Sequence, residues 1–172
     1  YIPDIESQTY PSASIVRMKF PKRGRHPELN LTWSDGRIKP AIPDEFKQGE
    51  QFSLSGAMFI GDNGKITHDS HGANGVKIIP EEKMLNYIQP DPYIPRVNTT
   101  HEGDWIRACK DGKPACSSFD YGGPLTEMAL LGMIAIRLKN QKLEWDSKNF
   151  RFKNNEKANA LLHKEYRKGW SL

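Results

Sequence analysis

His68-Asp69-Ser70-His71 places two imidazoles and a carboxylate within four residues. Side chains of these types hold zinc or pass protons when they converge on one point. The spacing does not bring them together. Positions 68 and 71 suit neither the i, i+4 face of a helix nor a sharp ligand turn, and no third ligand stands nearby. In a glycine-rich stretch two solvated histidines are the simpler account, although a loop residue such as His71 can also reach into a pocket. The carboxylates suited to acid–base work are Asp104, Asp120 and Glu127. Asp104 and Glu127 each fall near the start of a helical pattern, where negative charge complements the helix dipole without any catalytic role. Ser117-Ser118 lacks the glycines of a nucleophile elbow. Cys109 and Cys116 form neither a C-x-x-C redox pair nor a zinc knuckle, and two such cysteines read as thiols rather than as a disulfide scaffold. The glycine pairs Gly61-x-x-Gly64 and Gly72-x-x-Gly75 lie among strand patterns and lack the third glycine and opening helix of a dinucleotide loop. From the residues alone no catalytic centre, cofactor site or metal site is complete.

The elements around these residues change character along the chain. Val16, Met18 and Phe20 alternate with Arg17 and Lys19, and Leu29, Leu31 and Trp33 with Asn30 and Thr32, the period of half-buried strands. A third strand at 56–60 meets Lys65-Ile66-Thr67 across Gly61-Asp62-Asn63-Gly64, a hairpin signal because Asn-Gly tolerates positive φ. A short strand at 76–79 ends at Pro80, and Glu81-Glu82 then suits a short helix start. The spacing predicts a helix capped by Thr99 or Thr100 and closed by Gly112, and a core helix over 125–138. Gly132, inside that core helix, implies another backbone packed closely there. Short strands at 143–145 and 150–152 follow. Asn155 caps a last helix with Ala158, Leu161, Leu162 and Tyr166 on one face and Gly169 as its stop. Strands first and helices afterwards, without βαβ alternation, give α+β: an open, mainly antiparallel β-sheet with helices packed on one face.

Length and charge bound the function. With 172 residues the chain is a single domain, large enough to bury about 70% of its unfolded surface. The longest apolar run, 125–136, is interrupted by Thr126, Glu127 and Gly132 and is shorter than the ~18 residues of a membrane-spanning helix. The net charge of +4 comes from dispersed lysines and arginines without an RNA-binding signature, so neither nucleic acid nor membrane is an expected partner.

A resemblance emerges over the last seventy or so residues. Trp105-Ile106-Arg107-Ala108-Cys109-Lys110, Gly112-Lys113-Pro114, Gly123-Pro124-Leu125-Thr126-Glu127, Leu143-Glu144-Trp145-Asp146 and Tyr166-Arg167-Lys168-Gly169-Trp170 follow one another in the chain. That series resembles the C-terminal domain of the Gfo/Idh/MocA oxidoreductases, in a branch common in Bacteroides-like bacteria. Tyr10-Pro11, Trp33-Ser34-Asp35-Gly36 and Gly61-Asp62-Asn63-Gly64-Lys65-Ile66 extend it more loosely toward the start. The resemblance implies a substrate-wall and oligomerisation domain from an NAD(P)-dependent sugar or polyol dehydrogenase of bacterial cytoplasm or periplasm. It also implies that NAD or NADP and the catalytic lysine and histidine reside in parts of the parent not matched here, the lysine in a Rossmann domain. No Glu-Lys-Pro and no Asp-x-x-x-His occur in this sequence. The segment is therefore expected to be inert alone and to need the Rossmann domain of its parent chain, a sugar-like substrate, and a second copy bound through its sheet. The same scaffold also serves NAD-dependent glycosidases, and a non-catalytic binding or assembly module is the further alternative. His71, Arg96 and His101 are the candidates for a substrate wall, being polar groups on loops or at a helix start. A surface ion pair is the competing role for Arg96, and a water-facing first-turn position that for His101.

Overall fold

The structure, a computed structural model, describes residues 10–70 and 74–170. It is α+β, with small open antiparallel sheets and four helices among the described residues. The chain divides into two compact units, one formed by the residues up to Trp33 together with those from Val97 onward, the other by Ser34–Arg96.

In the first unit, β1 (Ile15–Phe20) pairs with β2 (Leu29–Ser34). Val16 is buried and Met18 and Phe20 are half-buried, as the alternation requires. In β2 the apolar set is less covered: Leu29 and Trp33 are exposed and Leu31 is half-buried. The helix α2 (His101–Asp111) starts where the Thr100 hydroxyl accepts from the Gly103 N–H at 3.1 Å, and stops at Gly112 in the left-handed region. Both ends follow ordinary capping chemistry.

The helix α3 (Phe119–Arg137) begins six residues ahead of the apolar run that predicts it, after Ser118. Gly122-Gly123-Pro124 reads as a helix breaker, but Pro124 falls near the N-terminus, where its missing N–H removes only one ladder bond. What approaches Gly132 is side chain rather than backbone. A Cβ there would lie 3.0 Å from Met18 Cε and 3.7 Å from Val16 Cγ1, so the glycine lets β1 pack directly on α3. The opposite flank of α3 carries the core: Ile134 packs with Phe152 and Ala158, and Leu131, Leu138, Leu143, Trp145 and Leu162 close round them.

That core rests on a small hairpin, β6 (Trp145–Asp146) with β7 (Arg151–Phe152), and on α4 (Glu156–Ala160). Asn155 caps α4 by accepting from Ala158 N at 3.0 Å. Asn159 then clamps the backbone of Phe152, accepting from its N–H at 2.7 Å and donating to its carbonyl at 3.1 Å. The helix is shorter than its apolar pattern predicts. Leu161 and Leu162 make i to i+3 bonds that tighten and end it, so Tyr166 does not continue a helical face.

In the second unit, β3 (Gly56–Gly61), β4 (Gly64–Asp69) and β5 (Lys77–Ile79) form an antiparallel sheet in that order. The hairpin pairs Gly61 with Gly64 across Asp62-Asn63, where the sequence places it, but neither loop residue takes a positive φ. The short helix α1 (Glu81–Leu85) packs against β5, and its Lys83 donates to the Asn63 carbonyl at the hairpin tip. Lys65 holds Glu45 at 2.6 Å, and Lys47 pairs with Glu81.

Each unit has a small core: Val16, Ile134, Phe152 and Ala158 in the first and Ile79 in the second are the buried apolar residues among those described.

Candidate functional site

A dense polar cluster of the first unit is built on one face of α2. Asp104, in its first turn, is almost fully covered, with only 4% of its side chain exposed. Its Oδ2 accepts from the Cys116 backbone N–H at 2.8 Å, and its Oδ1 accepts from Arg107 Nη2 at 2.7 Å and Nε at 3.0 Å. Arg107 reaches on to Asp111 at 2.9 Å and to the Pro114 carbonyl at 3.1 Å, while Asp111 accepts from Lys113 N at 2.9 Å. The helix thereby grips the returning loop over 112–116 at three points, the Lys113 and Cys116 amides and the Pro114 carbonyl. The Cys116 amide, and after it Arg107, holds the Asp104 carboxyl below the usual carboxylate range. The Lys113 amide and Arg107 do the same for Asp111, and Arg107 is raised in turn by Asp104 and then Asp111. Every atom suited to take a proton here is already committed. The cluster is a clasp, and the residues are i, i+3 and i+7 along one helix.

Beside the clasp lies a cleft of about 350 Å³ lined by Val97, Thr99, Thr100, His101, Glu102, Asp104 and Cys116. His101 is the first residue of α2 and is exposed, on the rim of this cleft, which combines the first-turn position with a pocket edge. Arg96 is an exposed residue of the extended segment that ends the second unit. His71 lies outside the described residues. Cys109 and Cys116 are exposed free thiols.

Two other candidates prove to be anchors. Glu127 stands in the third turn of α3 rather than at its start, so the dipole argument does not hold for it. Its Oε1 accepts from the Trp145 indole N–H at 2.6 Å, tying α3 to β6. His68 is a strand residue opposite Ala57, with its Nδ1 2.6 Å from the Asp69 carbonyl and its ring 5.9 Å from that of Phe59. Asp120 is an exposed first-turn residue of α3. Among the described residues no three His, Cys, Asp or Glu side chains gather as a metal site would need.

Gly61 and Gly64 are the glycine pair that lies wholly within the described residues. They close a strand–turn–strand hairpin, with no helix N-terminus to receive a pyrophosphate. This hairpin does not fit a dinucleotide. No known protein family matches the sequence, and no curated protein matches it either. Among the described residues no helix is long and apolar enough to cross a membrane.

The Asp104–Arg107–Asp111 clasp was hidden from sequence reasoning because half of its partners are backbone groups of residues 113–116. The acid–base–acid spacing on one helix face was the available signal.

Proposed function

We propose that this chain is the substrate-wall and assembly part of an NAD(P)-dependent sugar or polyol oxidoreductase, and that it is inert without its parent's nucleotide domain. The observation that carries the reading is the apolar surface left open in the first unit, where Leu29, Trp33, Phe119, Tyr121, Leu125 and Leu130 stand exposed. A chain that leaves its apolar side chains so uncovered suits a wall that closes against further protein. The resemblance of residues 105–170 supports the choice of that protein. The carboxylates in and beside the resembling segment lend further support. Asp104, Asp111 and Glu127 are engaged in holding loops and helices, a scaffold's use of charge rather than a proton-transfer site.

In this reading the chain's own residues bind and orient a polyol. The cleft at the start of α2 offers the Thr99 and Thr100 hydroxyls, the His101 imidazole and the Glu102 carboxylate, groups that exchange hydrogen bonds with sugar hydroxyls. When bound to its own domain, the nicotinamide supplies hydride transfer. Assembly runs through the β1–β2 face, where Leu29 and Trp33 stand exposed.

The test joins the chain to the nucleotide domain encoded with it and follows reduction of NAD(P) with a panel of sugars and polyols. Substrate-dependent reduction is expected from the joined protein, and no saturable nicotinamide fluorescence change from this chain alone. Saturable NADH or NADPH binding by the chain alone, or a gene that encodes no nucleotide domain, overturns the proposal.

A further inference from the structure

Charge is distributed unevenly along the chain. Residues 137–172 contain ten Lys and Arg against four Asp and Glu, while the preceding 136 residues contain fifteen against seventeen. Of these ten cations, only Lys142 forms an ion pair among the described residues, with Glu144 at 2.8 Å. The excess ends in an irregular segment with aromatic rings between its cations. Lys164 Nζ lies 6.0 Å from the Tyr166 ring centroid, and the Arg167 guanidinium carbon 5.9 Å from that of Trp170. A turn closes the segment, the Trp170 N–H donating to the Arg167 carbonyl at 2.9 Å. Lys164, Glu165, Tyr166, Arg167 and Trp170 line a cleft of about 180 Å³.

We propose that this cleft binds an anionic saccharide, a sugar unit bearing a carboxylate or sulfate. The inference rests on the carbohydrate reading above for the choice of ligand class, and adds a charged subsite to it. Each feature of the cleft has a use in such a ligand. Arg167 is held on Trp170 by a contact that is weak at an exposed site, so its guanidinium is free to turn to an oxyanion, which it meets with two parallel hydrogen bonds. The indole face that it leaves is 70% exposed as a residue, flat and apolar, and matches the C–H face of a pyranose ring. Lys164 adds a second positive charge. Glu165 accepts hydrogen bonds from hydroxyl groups. That carboxylate also decides between ligand classes. A deoxyribose strand presents a continuous line of phosphates and few hydroxyl donors, which a carboxylate in the groove opposes. An anionic sugar presents one charge among several hydroxyls.

The experiment titrates the protein in its native full-chain form, following tryptophan fluorescence and calorimetric heat. The probes are an oligogalacturonate, a sulfated oligosaccharide, the neutral oligosaccharide of equal length, and a single-stranded deoxyoligonucleotide. At least one anionic saccharide is expected to bind about tenfold or more tightly than the neutral one. Which of the two binds separates carboxylate from sulfate as the source of charge. Arg167→Ala should weaken that binding about tenfold, Arg167→Lys should recover part of it, and Trp170→Ala should remove the fluorescence change. Lys22→Ala, in the basic loop between β1 and β2 and not among the residues that line the cleft, should leave it unchanged. These residues are exposed, and melting curves that coincide with the parent's certify the variants as folded. The inference is overturned if neither anionic saccharide binds, if the neutral one binds equally, or if the oligonucleotide binds more tightly. No nicotinamide enters this titration, so its failure leaves the nucleotide-domain test standing, and the reverse holds too.

Discussion

Asp104 holds the loop over 112–116 through the Cys116 amide while it pairs with Arg107, which ties a buried carboxylate to acid stability. Its pKa is lowered in the folded chain, so the folded state binds that proton less readily than the unfolded state does. The stabilisation is therefore complete above the unfolded value of about 4 and is lost as pH falls through the lowered folded value. Amide exchange at Cys116 should stay slow at mildly acidic pH and quicken only below about pH 4. In Asp104→Asn, which retains an acceptor but not the charge, that acid-dependent step should shrink and the melting temperature should fall at neutral pH. Glu127 offers a second test at this scale. Glu127→Ala removes the acceptor of the Trp145 indole and should cost about 1 kcal/mol, with a change in tryptophan emission, whereas Glu127→Gln keeps an acceptor and should restore most of it. Both carboxylates stood out in the sequence by residue type. Their partners did not, because Cys116 contributes a backbone amide twelve residues away and Trp145 reaches Glu127 across eighteen.

At the scale of elements, the ends that follow local chemistry were legible and the ends that depend on distant contacts were not. Thr100 and Gly112 bound α2 because capping and left-handed geometry are local properties of a few residues. The start of α3 was obscured by Gly122-Gly123-Pro124, and the end of α4 by an apolar pattern that runs past the turn at Leu161. Gly132 was legible as a packing position, but its neighbour could not be named without Met18 in place. Gly132→Ala should be neutral or stabilising by up to about 1 kcal/mol, since helix propensity improves and the Met18 methyl is a flexible end that can yield. Gly132→Leu should force β1 away from α3 and cost about 1–3 kcal/mol in chemical denaturation. Phe152, 2% exposed, joins β7 to α3 and α4, and Phe152→Ala should cost about 3–5 kcal/mol and release the Asn159 clamp. Of the wall candidates, His101 stands at a cleft edge because a helix starts there. Nothing in the pattern around Arg96 could place it, since prolines and polar residues set no period.

For the whole molecule, what matters is how much apolar surface the chain leaves uncovered. The strand alternation told which side chains seek burial, and the α+β class followed from it. It did not tell how many of them find burial within this chain, because that depends on the number of covering layers rather than on any period. Trp33 and Leu29 on β2, and Phe119, Tyr121, Leu125 and Leu130 on α3, remain exposed. Apolar surface of this kind is what the proposed interface would cover. Placing charge on it separates docking from folding: Trp33→Glu should abolish association while leaving the far-ultraviolet dichroism of the chain intact. Sedimentation equilibrium over a wide range of concentration tests the claim most directly that these strands and helices form a surface for something else to close upon. The account predicts a mass of two or more chains that falls toward one on dilution and in Trp33→Glu. A clean monomer at the highest concentration, with the same cooperative unfolding at every concentration, would contradict it.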